Sequence, residues 1–192
     1  MRLFVAVDLE PSIRQEAFAV GVRLAGVLRR AIPGGRADVS WVRADNLHLT
    51  LRFLGEIEDA RAAALAERFT QPLALAPFDI ELGGVGVFPA AGSPRVIWID
   101  VTQGREALVS LARQVEDRLE AWGCGRDTRP FQAHLTLGRC RQPLGPQAPG
   151  LLVGTAARSI GRSRVDHVVL FESRLGSGPA TYLVKARTPL VP

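Results

Sequence analysis

His48-Leu49-Thr50-Leu51 and His134-Leu135-Thr136-Leu137 are the same four residues written twice, starting 86 positions apart. The chain has three histidines, and these two copies hold two of them. Each copy alternates and is rich in strand-forming side chains, so each reads as part of a β-strand. A strand turns residues i and i+2 to one face. His48 therefore shares a face with Thr50, and His134 with Thr136, while the leucines back them from the other side. Two imidazoles and two hydroxyls brought to one cleft would be equipment for acid–base chemistry on a phosphate.

Working outward, each motif closes a similar unit. Arg2-Leu3-Phe4-Val5-Ala6-Val7-Asp8 is an apolar strand, then a helix opens at Pro11. Its Ile13, Ala17, Val20, Leu24 and Leu28 fall at helical spacing, and Ile32-Pro33-Gly34-Gly35 ends it. Strands at 40–42 and 46–55 follow, the second carrying His48. In the other half, a strand at 95–101 leads to a helix over 105–122 with Leu108, Leu111, Val115 and Leu119 on one stripe and Gly123 as its stop. The strand at 131–138 then carries His134. The repetition predicts an α+β fold: two pseudo-symmetric lobes from a duplicated β-α-β unit, with antiparallel sheets facing a central cleft and helices outside. Residues 1–192 are expected to form one bilobal domain.

The remaining segments are plainer. A helix is expected over 58–69, and a strand pair at 78–82 and 85–88 bent around Gly83-Gly84. No helix follows those glycines, so they read as a turn rather than a phosphate cradle. Residues 142–150 hold three prolines and two glycines, which predicts a loop. Strands are expected at 156–160, 165–172 and 180–186.

Composition bounds the rest. Of 192 residues, 47% are hydrophobic and 22% charged, which excludes a disordered chain. No apolar run is long enough to cross a bilayer, and Asp8 and Glu10 cut short the apolar start, so a cytoplasmic protein without a membrane partner is expected. The formal charge is +5, carried almost wholly by arginine, with Lys185 the sole lysine. Guanidinium groups suit phosphate, although base composition alone also yields arginine-rich chains. Cys124 and Cys140 lack metal-site spacing and read as reduced bystanders. Two histidines without a cluster of further ligands leave a metal shell incomplete, so neither metal nor cofactor is expected. His167 has no matching partner motif and reads as structural. Phe4, Phe88, Trp98 and Tyr182 read as core packing before base stacking.

The motifs resemble the 2H phosphoesterase superfamily, and within it the RNA 2′,3′-cyclic phosphodiesterases, also called 2′-5′ RNA ligases. The likeness runs through Phe4 to Val7, Trp41-Val42, Asn46 to Gly55, Gly86 to Pro89, Pro94 to Trp98, Phe131 to Arg139, Leu170 to Ser173, Gly178-Pro179 and Tyr182. Such relatives place proline before the second histidine, where this chain has Ala133; no chemical group is lost by that. The resemblance implies a monomeric enzyme that opens RNA ends or cyclic nucleotides bearing a 2′,3′-cyclic phosphate to 2′-phosphomonoesters without metal. It implies His48 as proton donor, His134 as proton acceptor, and Thr50 and Thr136 as donors to the phosphate oxygens. Arg139 matches a phosphate-binding position. Strict alternation would put it on the face opposite His134, so the strand must end or bulge near Gly138. Arg52 falls on the His48 face by alternation and is a second candidate for the RNA backbone. The alternatives are 2′-5′ RNA joining, cleavage of another 2′-5′ or cyclic nucleotide diester, or an RNA-binding module without turnover.

Overall fold

The computed structural model describes residues 1–31, 38–142, 144, 148–153, 159–176 and 178–192. In chain order the elements are β1 (Arg2–Asp8), α1 (Pro11–Ala31), β2 (Val39–Trp41), β3 (His48–Glu56), α2 (Asp59–Arg68), β4 (Leu73–Ala74), β5 (Phe78–Phe88), β6 (Val96–Gln103), α3 (Arg105–Ala121), β7 (His134–Cys140), α4 (Ala148–Val153), β8 (Gly161–Val165), β9 (His167–Arg174) and β10 (Thr181–Val191). The fold is α+β, with two antiparallel sheets ordered β3-β1-β9-β10-β4 and β2-β7-β6-β5-β8; among the described residues only the two-residue β4 joins in parallel.

The helical spacing bears out its reading. Ile13, Ala17, Val20, Leu24 and Leu28 are all buried on α1, and Leu108, Leu111, Val115 and Leu119 on α3. Each fully buried leucine contributes about 1.5–3 kcal/mol. Gly123 follows α3 at φ +78, a conformation that favours glycine and ends the helix.

The two lobes are interleaved rather than consecutive. The helix that follows β1 crosses to the second sheet: α1 packs against β7 and β8, and Gly21 lies against Trp41. The helix that follows β6 crosses to the first, where α3 packs against β3 and Arg118 donates to the carbonyls of Gln71 and Pro72. Strands cross too, since β5 pairs with β6 while β9 pairs with β1. One buried apolar cluster consequently runs from Leu3 and Leu49 through Leu108 to Leu135 and Val165. A second, small cluster of Phe4, Ala6, Val169 and Phe171 lies on the other face of β1.

The equivalences extend to irregular backbone. In the β1–β3 ladder Val5 faces Arg52 and Ala6 faces Thr50, so Leu51 is an extra residue. In the β6–β7 ladder Ile97 faces Gly138 and Trp98 faces Thr136, so Leu137 is extra. Both motif strands thus carry a β-bulge at the third residue after the histidine.

Several boundaries differ from the sequence reading. The expected pair at 78–82 and 85–88 is one continuous strand, β5, because Gly84 (φ +69) forms a register shift rather than a turn. The expected strand at 165–172 is two strands, since the chain leaves one sheet at Val165 and joins the other at His167. Positions 156–158 of the strand expected at 156–160 lie outside the described residues, and the strand described here is β8, which begins at Gly161. Residues 142–150 are not all loop: α4 begins at Ala148 because Leu144, Ala148 and Leu152 bury in the main cluster. The helix stop at Ile32 to Gly35 lies outside the described residues.

Candidate active site

The paired bulges decide which side chains surround the histidines. Leu51 and Leu137 stay buried with the preceding leucines, and beyond them alternation restarts one residue out of phase. On β7 this turns Arg139 back to the His134 face, meeting the condition set by the sequence. On β3 it turns Phe53 to the His48 face, where its ring centroid is 5.9 Å from that of Phe4. The same bulge corrects the placement of Arg52. It leaves the His48 face and is largely buried, 2.8 Å from Glu116 and 3.6 Å from Asp127, donating to the carbonyl of Gly125. Gly138 occupies the matching position on β7 because β2 lies over it: a Cβ there would stand 2.8 Å from Val39.

Each imidazole is oriented by the residue two before it. His48 Nδ1 lies 2.7 Å from the carbonyl of Asn46, and His134 Nδ1 lies 2.8 Å from that of Gln132. A carbonyl only accepts, so both Nδ1 atoms carry hydrogen and both Nε2 atoms are the basic ones when the rings are neutral. At His48 the hydroxyl of Thr50 then donates to Nε2 across 3.0 Å. Asn46 is itself pinned, its amide donating to the carbonyl of Ala180 at 2.7 Å.

Aromatic rings wall both imidazoles. Phe4 lies 4.8 Å from His48 and Tyr182 meets it edge-on at 5.3 Å. Phe88 meets His134 edge-on at 5.2 Å, with Trp98 stacked behind Phe88 at 4.8 Å. Trp98 has little room: a Cβ at Gly86 would stand 2.2 Å from its indole. Gly86→Ala is expected to destabilise the protein by about 1–3 kcal/mol and to lower turnover by moving the ring beside His134. Thermal melts and steady-state rates of the purified variant check both effects.

This apolar enclosure keeps the imidazoles neutral. Burial lowers the pKa of His48 to about 4, against the opposing pull of the Asn46 carbonyl and Asp8, with the charges of Arg139 and His134 adding to the fall. Burial likewise lowers that of His134, again with Arg139 contributing. Both rings therefore sense Arg139, and His48 senses His134. The unfolded chain binds more protons than the folded one between pH 6.5 and about 4. Stability from His48 is thus fully present above pH 6.5 and lost as pH falls through that window, by on the order of 3 kcal/mol. His48→Gln should flatten this part of a plot of unfolding free energy against pH.

A cleft of about 620 Å³ opens at the motif strands, bordered by Thr50, Phe53, Phe88, His134, Thr136 and Arg139, and extends to α3 and residues 126–132. Of the other residues singled out in the sequence, His167, Cys124 and Cys140 do not border this cleft. His167 is bonded to its neighbour Asp166. Phe4 is buried, and Cys124 and Cys140 are unpaired thiols. Among the described residues, no three of His, Cys, Asp and Glu gather as a metal would need, and no helix is long and apolar enough to cross a membrane.

Two features escaped the sequence reading. Asp8 faces His48 across the ladder and Asp100 faces His134, each paired with an arginine early in the next helix, Arg14 at 2.9 Å and Arg105 at 2.5 Å. Aligning the halves on strand starts leaves these aspartates one place out of step; counting back from the histidines does not help, because the connections differ in length. The other is Phe53, hidden by the unseen bulge on its own strand.

The chain is similar to known proteins along most of its length. The family model of the 2′-5′ RNA ligase superfamily matches residues 22–176. The chain is similar to an Archaeoglobus fulgidus protein named RNA 2′,3′-cyclic phosphodiesterase, 38% identical over 175 residues that cover 91% of this chain and 92% of the relative. An Escherichia coli protein of the same name is 36% identical over 141 residues, 72% of this chain and 71% of its own. Among solved structures, E. coli LigT complexed with 3′-AMP superposes with a TM-score of 0.69 at 28% identity, covering 100% of this chain and 98% of LigT.

Proposed function

The chain belongs to the 2′-5′ RNA ligase superfamily, and from that premise we propose that it hydrolyses RNA 2′,3′-cyclic phosphate ends to 2′-phosphomonoesters by two-histidine acid–base catalysis without metal. The observation that carries this reading is the gathering of His134, Thr136, Thr50 and Arg139 at one cleft, on equivalently bulged strands, with His48 bonded to Thr50 and within electrostatic reach of both His134 and Arg139.

His134 Nε2 takes a proton from water, whose oxygen forms a bond to phosphorus. The P–O3′ bond breaks with its electron pair on O3′, and His48 Nε2–H supplies the proton there. Thr50 and Thr136 donate to the non-bridging oxygens as charge gathers on them, and Arg139 neutralises the phosphate. His48 is neutral in the empty site, so its acid role requires proton uptake with substrate. The phosphate supplies the reason: its negative charge favours imidazolium and cancels the Arg139 charge that opposed it. After turnover the proton held by His134 returns to solvent.

The test is incubation of an oligonucleotide ending in a 2′,3′-cyclic phosphate with purified protein in EDTA, with product identification. A 2′-phosphate end is expected. Activity lost in EDTA and restored by a divalent ion would overturn the metal-free reading. Product from 2′-5′-linked RNA alone would favour the joining reaction and its reverse.

A further inference from the structure

The two lobes repeat an ion pair as well as a motif. Asp8, the last residue of β1, stands opposite His48, and Asp100 on β6 stands opposite His134. Residues directly opposed in an antiparallel pair share a face, with Cβ atoms about 4.5–5.5 Å apart. Each aspartate is fixed in the same way. One carboxylate oxygen accepts from the backbone N–H of the next residue, Leu9 at 3.0 Å or Val101 at 2.9 Å, and from an arginine of the following helix, Arg14 or Arg105. The pairs differ in shelter. The side chains of Asp8 and Arg14 are 27% and 23% exposed, those of Asp100 and Arg105 35% and 45%. Charges that act through protein are screened less than charges that act through water, so the first pair bears on its histidine more strongly than the second.

The histidines differ too. The rings of Phe4, Phe171 and Tyr182 enclose His48, with centroids 4.8, 6.2 and 5.3 Å away. An imidazolium so enclosed needs an anion close by. The charged or titratable groups around it are Asp8 on β1, Arg139 and His134 on β7, and Tyr182 on β10. Arg139 and a protonated His134 oppose a charge on the ring, and Tyr182 stays neutral because burial raises its pKa. Asp8 alone among them favours the imidazolium. At His134 the influences are burial, the Gln132 carbonyl and Arg139, without a share from Asp100. Resting on the proposed activity, we infer that Asp8 is a positioning residue for the acid: its carboxylate, held at the end of β1 by Arg14, keeps the transferable proton on His48 once the phosphate is bound. The duplicated fold by itself would leave the two imidazoles interchangeable, and the unequal aspartates break that symmetry. Asp8 acts across the strand pair without a bond to the ring, since Nδ1 is given to Asn46 and Nε2 to Thr50. Arg14 tempers the effect, because its positive charge sits on the same carboxylate.

The test uses the intact chain. In single turnover of a cyclic-phosphate-ended oligonucleotide, the alkaline limb of the rate profile reports the acid of the bound complex. Asp8→Asn keeps an oxygen for Leu9 and Arg14 but removes the charge. It should move that limb down by about one pH unit, with rates about ten-fold lower above the limb, little change below it and an unaltered half-saturating concentration. Arg14→Gln leaves the carboxylate uncompensated and should move the limb the other way, whereas a merely structural tie would give the same kind of loss in both variants. Asp100→Asn, which removes the matching charge of the other lobe, should leave the limb in place. NMR titration of the imidazoles, with a nucleoside 2′-monophosphate bound, reads the proton without turnover. There the His48 pKa should fall by a similar step in Asp8→Asn while that of His134 holds. An alkaline limb and a His48 titration both unmoved in Asp8→Asn would overturn the inference and leave the proposed activity intact. A wild type that turns over no cyclic phosphate, with His48 still titrating lower in Asp8→Asn, would overturn the activity and support the hold of the carboxylate on the ring. Equal shifts of the limb in Asp8→Asn and Asp100→Asn would also overturn the inference, since the lobes would then be alike.

Discussion

His48→Ala and His134→Ala are each expected to lower kcat on a cyclic-phosphate-ended RNA by about 10²–10⁴-fold, the usual contribution of a positioned acid or base. Each ring is anchored at Nδ1 by a backbone carbonyl, which leaves Nε2 as its reacting atom, and among the described residues neither forms a side-chain ion pair. The variants should therefore fold, and His48→Ala should lose the acid-induced instability described above. KM should change far less than kcat, because Arg139 and the threonines remain to hold the phosphate. Groups that act in one transition state are not additive, so the double variant should be little worse than either single one. A wild-type rate in either single variant, measured by single turnover, would remove that imidazole from the reaction. Losses that multiply fully in the double variant would show two independent sites rather than one.

Arg139→Ala is expected to lower kcat/KM by about 10²–10³-fold, the scale for losing a charged donor to a reacting oxyanion. It carries a second signature that simple loss of a contact would lack. The positive charge of Arg139 lowers the pKa of both imidazoles, so its removal raises them. The acid limb of the kcat/KM profile reports the neutral base of the free enzyme. That limb should move to higher pH in Arg139→Ala and stay in place in Arg139→Lys, which keeps the charge but not the two-pronged grip. An unmoved limb in Arg139→Ala would mean the guanidinium does not face the histidines in solution.

How much of this was legible follows the physics of a strand. Alternation with period two is local, so the histidine and hydroxyl of each motif could be put on one face from the sequence alone. Helical spacing is also local, and every apolar position named on the two long helices is buried. A bulge is not local in the same way, because it exists only relative to the neighbouring strand. At Gly138 the requirement that Arg139 reach the phosphate exposed it. At Leu51 nothing in the sequence did, so Arg52 was put on the site face and Phe53 was overlooked. The glycine pair on β5 misled for the same reason, since Gly83-Gly84 suits a turn or a bulge equally until a partner strand is known.

The sequence by itself determined the reacting groups, their duplication and the α+β class, since these depend on residue identity and short-range periodicity. Only the tertiary structure decided which lobe each helix and strand joins, where the ladders slip, and what shares the cleft with the imidazoles. It also decided the protonation state of the histidines, because desolvation depends on rings such as Phe4 and Phe88 that reach the site from other strands. Contacts of that kind are set by long-range packing, which no window along the chain contains.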